Sequence, residues 1–524
     1  MSTQYNESLA HFSLPVFKPE WVRVVRGIEK ESLRVTPAGR LAQTDHPRAL
    51  GSALTHPYIT TDYSEALLEL ITPTATSIDE CLQFLADLHN FALARLPDQE
   101  MLWAASMPCL LESEAQIPLA RYGSSNLGRL KTLYREGLGH RYGRLMQTIA
   151  GIHYNFSMPE GFWPEYRALK GAKESLQEFQ TGQYLHLIRN YHRYSWLLVY
   201  LFGASPAVCK CFTRGRSHDL EEFDSATLFK PYATCLRMGN LGYKSEAQKS
   251  LFVCYNELDN YIECLQEAMS IPYPAYEQLG LMRGQNHLQI NTNLLQLENE
   301  FYATIRPKRV GDPGQRPLEV LRDQGIQYVE VRLLDLNPFL PLGIDAEQIR
   351  FLDAFLLFCL LSESPECHRE EYFENERNLA EVVNQGRAEG LLLNFQGREI
   401  SLQEWGRQLF AQIMHSASLL DGTGQQAHQQ SVAAQQAKLL DSTLTPSAQM
   451  LQAMRADKLS FSAFGLQQTK IHGDYFSKLA MSPERLQEFT RVSADSLQQQ
   501  AEAEAADDID FDEFLQQWNS FTLA

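Results

Sequence analysis

The sequence predicts an α+β protein: an antiparallel sheet with one open face, surrounded by helices, over residues 1–344, then a helical region over 345–524. Three observations lead there. In the run 327–335, Val329, Val331 and Leu333 alternate with Tyr328, Glu330 and Arg332, and successive strand side chains point to opposite faces. One face can bury itself; the other sets a carboxylate beside a guanidinium, which is costly unless they meet ions, ligands or each other. The same alternation recurs in separate segments, as in antiparallel sheets covered on one side only. After Ile344 it gives way to a helical period.

Taken in order, residues up to about Glu20 read as a short helix or arm. The run 27–35 reads as a strand ended by the turn Thr36-Pro-Ala-Gly39. Glu29 and Glu31 lie two apart and so share a face, where like charges raise each other's pKa unless a cation intervenes. Magnesium, a hard ion that prefers carboxylate oxygens, suits them. In 67–72, Glu69 interrupts apolar residues before Pro73; strand and helix both remain open there. Residues 78–94 have helical periodicity. Residues 122–150 carry Arg129, Lys131, Arg135, Arg141 and Arg144 on a helix interrupted by loops.

Further on, the strand-like run 151–157 sets His153, Asn155 and Ser157 opposite Ile152, Tyr154 and Phe156. Residues 185–202 read as one long aromatic helix, 231–243 as a polar loop, and 248–269 as a helix. In 287–293, Gln289, Asn291 and Asn293 alternate with Leu288, Ile290 and Thr292, as in a further strand. Arg306, Lys308 and Arg309 form a second basic cluster before Gly311-Asp-Pro-Gly314. Helices are expected over 347–362, 374–389 and 402–420. The glutamine-rich 425–436 reads as linker or exposed helix, and the acidic 501–513 as a solvated tail or helix face without chemistry.

Composition narrows the function. A formal charge of −18 argues against generic binding to nucleic acid or anionic membranes. No apolar run approaches the ~20 residues that span a bilayer, and the N-terminus lacks a signal-peptide pattern. Nine cysteines without a repeated spacing suit reduced thiols in the cytoplasm; Cys209 and Cys211 lack the second pair a zinc site needs. The Arg129–Arg144 and Arg306–Arg309 clusters read as pockets for small anions inside an acidic protein.

The open face of the predicted sheet collects Glu29, Glu31, Glu69, His153, Asn155, Gln289, Asn291, Glu330 and Arg332, with Asp62 near its rim. So many acids cannot stay ionised together without cations. Two or more divalent ions resolve the repulsion, and nucleotide phosphates supply their remaining ligands. No Gly-x-x-x-x-Gly-Lys-Ser/Thr loop, Gly-x-Gly-x-x-Gly turn, Gly-x-Ser-x-Gly elbow or His-Glu-x-x-His pair occurs. Carboxylate-held magnesium edged by arginines instead indicates phosphoryl chemistry by positioning and charge neutralisation.

At these residues the sequence resembles the glutamate–cysteine ligase family of proteobacterial type. The resemblance rests on Gly27-Ile-Glu-Lys-Glu31, Gly51-Ser-Ala-Leu-Thr-His56, Ile59-Thr-Thr-Asp62, Glu65-Ala-Leu-Leu-Glu69, Lys131-Thr-Leu-Tyr-Arg-Glu-Gly-Leu138, Leu145-Met-Gln-Thr148, His153-Tyr-Asn-Phe-Ser157, Leu201-Phe-Gly-Ala-Ser-Pro206, Ile305-Arg-Pro-Lys-Arg309 and Tyr328-Val-Glu-Val-Arg332. Together these span about residues 22–345 and are looser beyond. The resemblance implies a glutamine-synthetase-like sheet on which ATP phosphorylates the γ-carboxylate of glutamate and the amine of cysteine displaces phosphate. By matching positions, Glu29, Glu31, Asp62, Glu69, His153 and Glu330 hold Mg²⁺, with Mn²⁺ a substitute. Arg237 and Arg332 neutralise the transferring phosphoryl group, and Tyr134, Arg135, Leu138, Gln147, Tyr243 and Tyr302 form the cysteine side.

The plainer alternatives are core roles for the three tyrosines and a structural role for His153, since imidazole is an unusual magnesium ligand. Rival functions are a related ligase with another amine acceptor and a catalytically silent binding paralogue. Glutathione is the expected feedback inhibitor and a monomer the expected state, with no nucleic acid or membrane partner. A second ligase domain, which would make glutathione itself, is not expected.

Overall fold

The computed structural model describes residues 3–14, 22–242, 247–312 and 314–520. Strands β1 (Val25–Val35), β2 (Ile59–Thr61), β3 (Leu67–Ile71), β4 (Ile152–Ser157), β5 (Ile305–Lys308) and β6 (Tyr328–Leu334) pair antiparallel in the order β5–β6–β4–β1–β3–β2. Met101–Leu102 pairs antiparallel with Arg34–Val35 at the end of β1. The ambiguous run before Pro73 is therefore a strand. Its register on β1 sets Glu69 opposite Glu31, a pairing that no local periodicity contains. Likewise His153 faces Glu29, and Asn155 faces both Gly27 and Glu330. Residues directly opposite in a ladder point the same way, so these registers assemble one polar face.

The other face is apolar. Ile28, Leu68, Leu70, Tyr154, Phe156, Val329 and Val331 are all buried. Five helices matter to the site: α1 (Ile78–Leu93), α2 (Asn126–Tyr142), α3 (Ala346–Leu361), α4 (Pro483–Ala506) and α5 (Phe511–Ser520). α1 begins at Ser77, whose hydroxyl accepts from Glu80 N, and α3 begins at Asp345, whose carboxylate accepts from Gln348 N, the usual side-chain caps. α3 is buried nearly all round, which marks a helix inside a core rather than on its surface. It locks to the back of the sheet through Asp353. That carboxylate pairs with Arg26 of β1 at 2.9 Å and accepts from the Tyr154 hydroxyl of β4. One apolar core joins sheet residues such as Ile28 and Val331 to Leu356 and Trp405 beyond residue 345.

Three expected elements differ. The aromatic helix over 185–202 is two helices, Leu176–Tyr194 and Trp196–Phe202, meeting at Ser195. The first starts earlier because Ser175 and Glu178 form a reciprocal capping box. The helix expected over 248–269 is only Leu258–Ser270, because Arg189 takes the carbonyls of Tyr255 and Asn256. The alternating run 287–293 does not join the sheet. Only Asn286–His287 is extended, in a hairpin with Met282–Arg283. Asn291 Oδ1 accepts from Asn293 N, a local bond that competes with a ladder, and Gln289 bonds Arg141, Tyr276 O and Gly280 O. Gln289 and Asn291 therefore leave the polar face. The glutamine-rich segment is helix, Ala427–Leu440.

All nine cysteines carry free thiols. No helix among the described residues is long and apolar enough to cross a membrane. Asp353→Ala leaves the Arg26 guanidinium buried without a carboxylate and is expected to cost about 3–5 kcal/mol, read as a lower denaturant midpoint. An unchanged midpoint would mean that the pair does not fasten α3 to the sheet.

Candidate active site

The centre of the polar face is His153. Its Nδ1 lies 3.0 Å from Glu29 Oε2, 3.8 Å from Glu69 Oε1 and 3.3 Å from Arg332 Nη1. Its Nε2 is buried 3.5 Å from Glu31 Oε1 and makes no hydrogen bond. Ligand atoms of Glu29, Glu69 and His153 all fall within 4.8 Å of one another. Asn155, next along β4, donates to Glu29 Oε1 at 2.8 Å, and Gly151 N donates to Glu31 Oε2 at 2.6 Å. Three strands thus deliver three acids and an imidazole to one patch, the Glu29 and Glu31 carboxylates aimed by these hydrogen bonds.

These acids do not behave alike. Burial works against the charge of Glu330, but Lys308 at 3.3 Å and Arg332 at 3.0 Å hold its carboxyl well below the usual range. Burial and the charge of Glu330 push against Glu29, yet His153 and Lys308 bring it below its ordinary value. Across the sheet the balance reverses. Burial lifts Glu31 against the pull of His153. Burial, Glu29, Asp62 and Glu31 together lift Glu69 well above the carboxylate range. The protein's own cations serve the β6 side and leave Glu31 and Glu69 short of positive charge. With an orphaned buried imidazole nitrogen among them, this donor set fits a divalent cation.

Arg332 sits where the ladder between β6 and β4 slips between Val331 and Leu334. Such bulges re-aim a side chain, and here the arginine turns to Glu330 and His153 while its N donates to Thr304 O. Arg237 is fully buried, and its Nη2 donates to the Arg332 carbonyl at 2.8 Å. The loop bearing it is fastened by Asp335, at the end of β6, which accepts from Ala204 N, Ser205 Oγ and Cys235 Sγ. A Cβ at position 151 would stand 2.0 Å from Arg237 Nη2, so a side chain there would displace the guanidinium.

On the far side, α2 presents Arg135, whose Nε donates to Asp62 O and whose guanidinium lies 4.0 Å from the Asp62 carboxylate. Gln147 donates to the Tyr302 hydroxyl at 2.9 Å. Gln248 accepts from Tyr302 N and donates to Glu300 O and the Tyr142 hydroxyl, while Glu300 forms a fully buried pair with Arg141 of α2. A cavity of about 380 Å³ opens beside Tyr302, walled by Met238, Gln248, Tyr255 and Tyr372.

Of the expected residues, Glu29, Glu31, Glu69, His153, Glu330, Arg332 and Arg237 converge, with Asp62 at the rim beside Arg135. Tyr302 and Gln147 form a second group. Tyr134 and Leu138 lie along α2, Leu138 buried in the main core. Tyr243 lies outside the described residues. Sequence reasoning left Lys308 unassigned within a basic cluster. Its spacing of two from Arg306, which pairs with Glu330 in the ladder, is the signal that places it on the acid face. Asp335 and Gln248 act through long-range contacts and carry no local signal.

The chain is similar to known proteins over nearly its whole length. A family model described as glutamate–cysteine ligase matches residues 11–382. A glutamate–cysteine ligase of Pseudomonas aeruginosa PAO1 is 51% identical over 524 residues, covering 100% of this chain and 99% of that protein. A solved glutamate–cysteine ligase of Francisella tularensis, in complex with AMP, superposes with a TM-score of 0.89 at 35% identity, covering 95% of this chain and 97% of that one. A bifunctional glutathione synthetase of Pasteurella multocida shares the fold, with a TM-score of 0.68 at 24% identity over 94% of this chain and 57% of that one. The chain belongs to the glutamate–cysteine ligase family.

Proposed function

We propose that this protein joins the γ-carboxylate of L-glutamate to the amine of L-cysteine at the expense of ATP, giving γ-glutamylcysteine, ADP and phosphate, the first step of glutathione synthesis. The single observation that carries this reading is the convergence of Glu29, Glu31, Glu69, His153 and Glu330 on one sheet face with Arg332 and Lys308 at its edge. The family, the AMP-bound relative and the full-length likeness to glutamate–cysteine ligases support the nucleotide and both substrates.

Glu29, Glu31, Asp62, Glu69, His153 and Glu330 would hold Mg²⁺, or Mn²⁺ in its place. The bound ions supply charge neutralisation to the nucleotide's phosphates. A γ-carboxylate oxygen of glutamate attacks the γ-phosphorus of ATP, and the bond to the bridging oxygen breaks to release ADP. Arg332, pinned by Glu330 and the Thr304 carbonyl, and Arg237, clamped against the Arg332 backbone, are positioned to take up the charge spread over the transferring group. Because hydrogen bonds from the protein fix both guanidinium-bearing segments beforehand, little reorganisation is needed as that charge moves.

The neutral cysteine amine then attacks the acyl carbon, phosphate departs with the C–O electron pair, and the nitrogen gives up one proton to the departing phosphate. Tyr134, Leu138, Gln147, Tyr243 and Tyr302 form the acceptor side in this reading, and Arg135 pairs with the acceptor's carboxylate. A monomer is the proposed state. The unpaired thiols suit the reducing cytoplasm. Glutathione, carrying the same γ-glutamyl group, is the proposed feedback ligand.

ADP release with glutamate and Mg²⁺ is expected to be fastest with cysteine among cysteine, 2-aminobutyrate, glycine and putrescine; preference for another amine would replace the acceptor assignment. Glu330→Gln should abolish this turnover while the circular dichroism stays unchanged, and normal activity would remove Glu330 from the site. Arg332→Ala should lower kcat at least about a hundredfold, whereas a loss confined to KM reassigns it to ground-state binding. Glutathione should inhibit competitively with glutamate. Inhibition independent of glutamate concentration would place it elsewhere.

A further inference from the structure

The helix that bears Tyr134, Arg135 and Leu138 is poorly equipped to hold its own position. α2 contains Gly128, Gly137 and Gly139, and although Ser125 Oγ caps it by accepting from Gly128 N, it has no acidic residue in its first turn; glycine weakens helices and acids stabilise their N-termini. The missing acids come from the far end of the chain. Asp507 Oδ2 accepts from Asn126 N at 2.6 Å, and Asn126 Nδ2 donates to Ile509 O at 2.9 Å. Glu504 Oε1 accepts from Ser124 N at 2.8 Å.

Packing completes the attachment. Phe511 and Leu515 of α5 bury against Leu130 and Leu133 of α2 and against Ile290, in a small apolar cluster separate from the main core, and Tyr134 leans on it. The Arg129 guanidinium lies 4.1 Å over the Phe511 ring. Asn519 donates to Ile290 O.

The preceding helix grips the other flank of the site. Ser496 Oγ of α4 accepts from Ser52 N, and its carbonyl accepts from Thr55 Oγ1, on the loop leading into β2 and Asp62. Gly51 and Gly123 sit directly against α4. Both have positive φ, 83° and 84°, and a Cβ would stand 2.4 Å from Ser496 Oγ at the first and 2.2 Å from Gln500 Nε2 at the second. Only glycine meets both conditions at once. The backbone is therefore shaped to seat this strap at two places, one before Asp62 and one before α2, and Arg135 bridges the two by its bond to Asp62 O.

We infer that the C-terminal segment 496–520 is a positioning strap for the acceptor side of the site, with Asp507 as its principal positioning residue: it holds Asn126 N at the head of α2 and so sets Tyr134 and Arg135 relative to Asp62. This rests on the reading of α2 as the cysteine-side wall.

In the full-length protein, Asp507→Ala is expected to raise KM for cysteine at least about fivefold with KM for ATP within about twofold of the parent. Asp507→Asn, which keeps an oxygen acceptor for Asn126 N, should recover most of that loss. Hydrogen exchange of the amides at 126–130 should quicken in Asp507→Ala while that of β1 stays unchanged. Phe511→Ala, acting through packing alone, should move KM for cysteine in the same direction. Unchanged KM for cysteine in both Asp507→Ala and Phe511→Ala, or a parallel loss in all substrates with a lower Tm, would overturn the strap. Tyr134→Phe and Arg135→Lys separate the two claims. If both leave KM for cysteine unchanged, the acceptor reading of α2 fails; if they raise it while the Asp507 and Phe511 variants do not, only the strap fails.

Discussion

Carboxylates that share a sheet face constrain everything else in this molecule. Two unit charges 4 Å apart repel by about 4 kcal/mol at an effective dielectric of 20, so Glu29, Glu31 and Glu69 around His153 cannot all be ionised without added positive charge. The polypeptide supplies it unevenly. Lys308 and Arg332 satisfy Glu330, while Glu31 and Glu69 are left with carboxyls lifted towards the neutral form. That gradient across the strands turns an acidic surface into a site with a direction. The edge at β5 and β6 carries fixed cations, and the acids towards β3 are the ones left short of positive charge.

The reverse of the sheet bears on the same problem. Strand alternation puts Arg26, Lys30 and Arg34 behind Glu29 and Glu31, inside the core. Arg26 is neutralised by Asp353 and Arg34 by Glu100. Lys30 has no such partner; burial brings it down to about 7, with Ser32 and His89 as its contacts. The cations behind the sheet are therefore spent on interior acids or pushed towards neutrality. They do little to relieve the front. Buried pairs of this kind are weak sources of net stability, but here they fix β1, β4 and α3 in one arrangement, and that arrangement sets the registers on which the front depends.

Much of this was legible from residue order. Alternation exposed β1, β4 and β6, and with them Glu29, His153 and Glu330, because a two-residue period written by polar and apolar side chains survives without tertiary context. The acid of β3 was visible, but its strand was not, since five residues before a proline carry too little periodicity to separate strand from helix. Its identity depends on pairing Glu31 with Glu69, a contact between segments. The run 287–293 failed for the opposite reason. Its alternation is genuine, yet Asn291 and Gln289 find local and cross-chain partners that the period does not encode. Lys308 could have been placed by the same alternation that found Glu330, whereas Asp335 and Gln248 matter through contacts on which a linear pattern is silent.

The acidic C-terminal stretch shows why composition misleads about such segments. Read alone, 501–513 is a solvated run of like charge; in the structure Glu504 and Asp507 are spent on backbone N–H groups at the head of α2, 380 and 381 residues away. Ser125 caps α2 locally through Gly128 N, and that bond forms wherever the helix forms. Supplying the acid and the bond to Asn126 N from a distant segment makes these tertiary contacts. The N-terminal turn of α2 is then fully satisfied only when α4 and α5 have docked, on Gly51 and Gly123, against the loops that also fix Asp62. The geometry between Arg135 and the acid face thus becomes a property of the whole fold instead of one helix, which is the precision a site needs when its two halves are carried by separate elements.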